Sequence, residues 1–167
     1  MHSSNQRKEK GLLVKMDMAN AFDGVNLSFL YRVLLSYGFS QEFVNFIKAF
    51  TDKPWIAPLV NGRPTIYFKA MGGLRQGYPL SPFLYILRAD TLSGKLEMDK
   101  AAGNDPGLRI MKGLELINYA LFADDSLLLG EVSNIISTSF KATLQGYCSF
   151  FRALINDSKS AVYGWNA

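Results

Sequence analysis

The residues with the most chemistry to offer are three aspartates set in apolar surroundings. Asp124 and Asp125 stand side by side within Tyr119-Ala120-Leu121-Phe122-Ala123-Asp124-Asp125-Ser126-Leu127-Leu128-Leu129. The run on each side is too short for a helix and rich enough in Leu and aromatics for a buried strand. Asp-Asp between two such runs predicts a tight hairpin turn, because Asp tolerates the dihedrals of a primed turn. Burying the flanking strands holds two negative charges at the rim of a core, which is costly unless a cation compensates. A surface turn with solvated aspartates fits the same residues, and the pair alone does not separate the two readings. The third aspartate, Asp17, ends the apolar run Gly11-Leu12-Leu13-Val14-Lys15-Met16.

These carboxylates need elements to position them. Gly11 to Asp17 predicts a buried strand, followed by a loop over Met18 to Gly24. Asn26 is placed to cap a helix whose Leu27, Leu30, Val33, Leu34 and Tyr37 share one face, and Gly38 ends it. Ser40 caps a second helix carrying Phe43, Val44, Ile47 and Phe50. Trp55 to Val60 and Thr65 to Phe68 predict strands joined through Asn61-Gly62, a strong hairpin signal. Ser81-Pro82 opens a further helix through Phe83, Ile86, Leu87, Leu92 and Leu96, with Gly94 a weak point. Ala101 to Gly107 is rich in turn residues, and Leu108 to Leu116 is expected to be extended. Ser133 caps a long amphipathic helix with Ile136, Phe140, Leu144, Tyr147, Cys148 and Phe151. A turn at Asn156 to Lys159 leads to a last short strand, Ala161 to Tyr163.

With the Asn61-Gly62 hairpin set aside as an insertion, the order matches the split β-α-β-β-α-β pattern of an α+β fold. That pattern sets the first strand beside the later hairpin, so Asp17 is expected to meet Asp124 on a neighbouring strand. Three carboxylates at one sheet edge suit a hard divalent cation, which takes oxygen ligands.

Composition bounds the function classes. The 167 residues are 49% hydrophobic and 19% charged, so the chain is globular and large enough for a sizeable core. A net charge of +4 favours a polyanionic partner. A single cysteine, Cys148, excludes an internal disulfide and a cysteine zinc site and points to a reducing compartment, nuclear or cytoplasmic. The polar start, Met1 to Lys10, does not read as a signal peptide, and no segment is long enough to cross a membrane.

Three separated motifs then coincide. Asp17-Met18-Ala19-Asn20-Ala21-Phe22-Asp23 resembles the first palm motif of reverse transcriptases. Gly73-Leu74-Arg75-Gln76-Gly77-Tyr78-Pro79-Leu80-Ser81-Pro82 resembles the second, and Phe122-Ala123-Asp124-Asp125 the third. The wording is similar to the class without long terminal repeats, the LINE-type retrotransposons, and to plant members especially. The resemblance implies a polymerase palm and nucleotidyl transfer with Mg2+ or Mn2+. Asp17, Asp124 and Asp125 would be the catalytic, metal-binding carboxylates, with the Met18 carbonyl as a further ligand. Phe22 would be the steric gate under the sugar. Gln76 and Gly77 would line the nucleotide pocket, Lys159 would sit near the triphosphate, and Arg75 would contact template or phosphate. An RNA template, a DNA primer and deoxynucleoside triphosphates are the implied partners.

On that resemblance, residues 1–10 are a basic lead-in, 11–164 a partial palm with fingers and thumb largely missing, and 165–167 a tail. The chain departs from the pattern at Tyr78, where the family usually carries Asp. The Leu87 to Asp90 and Phe151 to Ile155 stretches depart as well. A catalytically inactive palm remnant with weak nucleic-acid binding is therefore the competing expectation. A metal-dependent nuclease on the same carboxylates is a third, though it leaves Phe22, Gln76 and Gly77 without a role.

Overall fold

The computed structural model describes residues 10–19, 21–52, 54–70, 72–110, 113–122 and 124–165. Residues 1–9 of the lead-in expected at 1–10, Asn20 of the first motif, Ala123 of the third and the last two residues of the tail lie outside the described residues. Two compact units are present, one from the described residues of 1–19, 92–147 and 155–167, the other from those of 20–91 and 148–154.

The first unit is built on an antiparallel sheet. Strand β1 (Gly11–Ala19) pairs with β7 (Asp125–Glu131) in a register that matches Leu13 with Leu129 and Asp17 with Asp125. Beyond β7 lies β6 (Tyr119–Phe122), and the other side of β1 carries the two-residue β8 (Leu154–Ile155) and then β9 (Ala161–Trp165). Alternation divides the sheet by face. Met16, Met18, Ser126 and Leu128 are buried on one face, while Lys15, Asp17 and Asp125 share the other, which remains partly exposed.

Two corrections follow from the register. Asp125 is not a turn residue: it opens β7 and pairs with both Asp17 and Phe122, leaving Asp124 alone of the two aspartates ahead of the strand. Among the described residues, 108–110 and 113–116 form no strand. Only an isolated bridge, Leu108 to Ile117, stands there among the described residues, and ladder pairing starts at Tyr119. The glycines at 107 and 113 both take left-handed backbone angles, which interrupts an extended run.

Helices α3 (Ser81–Ala101) and α4 (Asn134–Phe151) span the boundary between the units in sequence. Within the first unit, Leu96 of α3 and Phe140 of α4 are buried. Ser133 accepts the Ile136 N–H at 3.1 Å, as its capping position predicts. Gly94 does not break α3.

The second unit holds α1 (Leu27–Ser36) and α2 (Gln41–Thr51). Their N-caps are Asn26, accepting from the Phe29 N–H, and Ser40, accepting from the Phe43 N–H. Leu30, Leu34, Val44 and Ile47 are almost fully buried. The expected hairpin forms as two short ladders. Strand β2 (Trp55–Ile56) pairs with β5 (Phe68–Lys69), and β3 (Leu59–Val60) pairs with β4 (Arg63–Pro64). Asn61 and Gly62 both have positive φ, 50° and 76°, as a type I′ turn requires.

Candidate active site

Asp17 is held by its own backbone. Its N–H donates to Ser160 Oγ at 3.2 Å, and its carbonyl accepts from the Asn156 N–H at 2.9 Å. Both peptide groups therefore point toward the turn at 156–160 and away from β7. The Asp17–Asp125 match is consequently a non-hydrogen-bonded pair, the narrow kind, in which opposed Cα atoms approach to about 4.5 Å and side chains lie closest. Two carboxylates of separate sequence motifs are thereby set opposite each other on one face. Asp124 precedes Asp125 by one residue, outside the ladder.

Like charges so placed repel, and the structure supplies two cations. Lys15 Nζ lies 3.7 Å from Asp125 Oδ1, and Lys159 Nζ lies 3.9 Å from Asp17 Oδ2. Lys15 is two residues before Asp17 and so on the same face, diagonal to Asp125. Asp17 is the more enclosed acid, its side chain 14% exposed against 44% for Asp125. The structure thus brings Lys159 to the first-motif carboxylate. Among the described residues, no group of three acidic, histidine or cysteine side chains is close enough to hold a metal ion. The expected convergence of three carboxylates appears as a pair, Asp17 and Asp125, with Asp124 beside it. Mg2+ does not need an all-protein cage, since it commonly binds through one or two carboxylates and takes its other ligands from water and phosphate. The paired hard oxygen donors fit such an ion, and the buried Met18 adds a backbone carbonyl close by in sequence.

The remaining predicted residues belong to the second unit. The Phe22 ring stacks on Tyr85, with centroids 4.8 Å apart and planes at 25°. The Phe22 carbonyl accepts from the Leu74 N–H at 2.7 Å, tying the first-motif loop to the second. Gly73 makes that contact possible. It has φ +79°, and a Cβ there would fall inside contact distance of the Asp23 carbonyl. Gln76 and Gly77 lie exposed on the loop, Gly77 with φ +78° and open space around it.

Arg75 is engaged within the protein. Its Nη2 donates to the Phe50 carbonyl at the end of α2 at 2.7 Å, and its guanidinium lies 4.6 Å from the centroid of the Tyr78 ring. Tyr78, in the place where an aspartate was expected, thus still receives the cation, through its ring face. These two contacts make Arg75 a brace across the loop.

Sequence reasoning missed Lys15, Asn156, Ser160 and Tyr85. Lys15 was legible from its two-residue spacing to Asp17. The other three become apparent only through register and packing across distant segments.

A sheet that sets carboxylates of two sequence motifs opposite each other is consistent with a polymerase palm. Solved structures agree on the fold. Telomerase of Candida tropicalis, solved with a fragment of telomeric RNA, aligns with 99% of this chain and 27% of its own at a TM-score of 0.69 and 13% identity. Telomerase of Candida albicans aligns at a TM-score of 0.58, covering 93% of this chain. The family model "Reverse transcriptase (RNA-dependent DNA polymerase)" matches residues 1–165, and the chain belongs to that family.

The relatives are polyproteins of retrotransposable elements and one mitochondrial protein. A polyprotein of retrotransposable element R2 from Popillia japonica is 29% identical over 154 residues, which are 90% of this chain and 24% of that protein. The R2DM polyprotein of Drosophila melanogaster is 26% identical and matches over 14% of its length. An uncharacterised mitochondrial protein of Arabidopsis thaliana is 43% identical over 68 residues, 41% of this chain and 56% of that one.

Proposed function

We propose that this chain is the catalytic palm of an RNA-directed DNA polymerase of the LINE-type class, transferring nucleotides with the help of divalent metal ions. The narrow Asp17–Asp125 pair carries the proposal, since it joins two of the three motifs at one point. The order β6-β7-β1-β9, antiparallel throughout, reads as the split β-α-β-β-α-β core of that palm. The partners on this reading are an RNA template, a DNA primer and deoxynucleoside triphosphates, in a nuclear or cytoplasmic setting.

Asp17, Asp124 and Asp125 would hold Mg2+ or Mn2+, with the Met18 carbonyl as a further ligand. When bound, such ions lower the pKa of an attacking hydroxyl and neutralise charge on a triphosphate. Lys15 and Lys159 hold the two carboxylates as a near-neutral set before any ion arrives. Lys159, 68% exposed and on a turn, is free to move from Asp17 to a phosphate. Phe22, held on Tyr85, offers a fixed ring edge against a sugar, and Gln76 and Gly77 offer exposed polar and backbone groups to a base or ribose. Arg75 supports this loop through Phe50 and Tyr78. The inactive-remnant reading rested on Tyr78 and on the fingers and thumb expected to be missing, and the Arg75–Tyr78 stack bears on the first ground alone.

The test joins this chain to the flanking polymerase segments of an R2 relative and measures primer extension on RNA with Mg2+. Loss of extension in both Asp17→Asn and Asp125→Asn, with unchanged melting temperature, is expected. Extension retained by either variant removes these carboxylates from catalysis.

A further inference from the structure

The β2–β5 hairpin presents aromatic and basic side chains that the polymerase chemistry leaves unused. Trp55 is 63% exposed, Tyr67 61% and Phe68 50%. Trp55 and Lys69 are cross-strand partners and share a face, with Lys69 Nζ 5.0 Å from the indole centroid. The opposite face carries Ile56 and Phe68. Charge is one-sided over a long stretch: from Lys53 to Arg88 the sequence has five cations and no carboxylate.

We propose that this hairpin is a stacking platform for single-stranded nucleic acid, with bases lying on Trp55 and Tyr67 and phosphates neutralised by Arg63 and Lys69. The pairing of aromatic faces with cations in an acid-free segment is what such binding requires, because every base has a π face and every linkage a charge. A protein partner fits less well, since lysine is depleted at the centre of protein interfaces. Here Lys69 lies directly against the ring that would be buried. A duplex fits poorly too, because its bases are already stacked on one another. The surface goes beyond the proposed chemistry, because binding there involves none of the metal-binding carboxylates.

The chain has two tryptophans, so Trp165→Phe leaves Trp55 as the reporter. This variant is titrated with 12-nucleotide single strands of RNA and of DNA, with the duplex, and with inorganic polyphosphate, in metal-free buffer. Quenching of Trp55 by the single strands is expected, weakened roughly 5- to 150-fold by Tyr67→Ala, the size of one lost base stack. Lys69→Ala should weaken binding less and flatten its dependence on salt. Asp17→Asn should leave the titration unchanged, which separates this surface from the polymerase reading. The RNA and DNA arms show which strand is preferred. Equal quenching by polyphosphate, or Tyr67→Ala without effect while melting is unchanged, overturns stacking. Absence of quenching by either single strand overturns the platform altogether.

Discussion

Two lysines pair with the opposed carboxylates, and they set what removing either acid should do. Without them, Asp17→Asn would relieve a repulsion and stabilise the metal-free protein. With Lys15 on Asp125 and Lys159 on Asp17, the change exchanges a repulsion for a lost ion pair whose lysine is largely solvated. Such pairs contribute about 0–1 kcal/mol, so metal-free melting of Asp17→Asn and Asp125→Asn should barely move. Mn2+ should raise the melting temperature of the parent chain and not that of either variant. A shift that persists in both variants places the ion elsewhere.

A different aspartate governs pH dependence. Asp105 is 1% exposed, and burial pushes its carboxyl up to about 6 from an ordinary value of 3.8. One oxygen accepts from the Gly107 N–H, while Oδ2 has no hydrogen-bond partner among the described residues. Between those two pH values the folded chain keeps a proton that the unfolded chain has released. The contribution of Asp105 to stability therefore falls as pH rises through that window and is smallest above it. Asp105→Asn keeps an acceptor for Gly107 and removes the buried charge. It should melt higher than the parent at pH 7.5, with the advantage shrinking by pH 4.5. An advantage unchanged between these pH values shows that the charge is not the cause.

At the level of elements, the motif loops are joined backbone to backbone, and glycine decides whether they can be. Gly73 and Gly77 share nearly the same φ but differ in surroundings. Gly77→Ala meets only the intrinsic strain of a left-handed residue, about 1–2 kcal/mol. Gly73→Ala adds a collision with the Asp23 carbonyl and should lose at least about 2 kcal/mol more, in the range of severe core substitutions. Urea unfolding compares them, and equal losses would show that the Phe22–Leu74 junction yields easily. The elements with local caps and turns were the legible ones, because Asn26, Ser40, Ser133 and Asn61-Gly62 act through bonds to near neighbours. Less was legible where distant segments decide. Two residues, Leu154–Ile155, carry no periodicity to mark a strand. Whether Asp125 sits in a turn or a ladder depends on the register with β1. The contacts of Arg75 with Phe50 and Tyr78 were not legible either, because a loop arginine shows nothing in sequence of its partners. The aspartate motifs themselves were plain, yet the narrow pairing that sets two of them opposite each other depends on the turn at 156–160.

For the whole molecule, the question is whether a palm by itself makes DNA. Holding primer, template and triphosphate in line can supply about 7–11 kcal/mol of barrier reduction. The chain spans 24% of the Popillia R2 polyprotein and 14% of R2DM, and the segments that clamp duplex and triphosphate are proposed to lie in the remainder. Its net charge of +4 is small against the row of phosphates in a primer–template duplex, where phosphate contacts dominate affinity. A stacking hairpin would hold a single strand without fixing the primer end against Asp17 and Asp125. The isolated chain should therefore give no primer extension on RNA with Mn2+, even where Mn2+ raises its melting temperature. Fusion to the flanking segments of an R2 relative should restore extension, and Asp124→Asn with Asp125→Asn should abolish it again. Tyr78→Asp in that fusion tests the loop: with the guanidinium of Arg75 already seated on the Tyr78 ring, extension should change less than about tenfold. A fusion that is silent with Tyr78 in place and becomes active on Tyr78→Asp would instead locate the defect in this loop. Extension by the isolated parent chain, lost in the double aspartate variant, would show that the palm positions its substrates unaided.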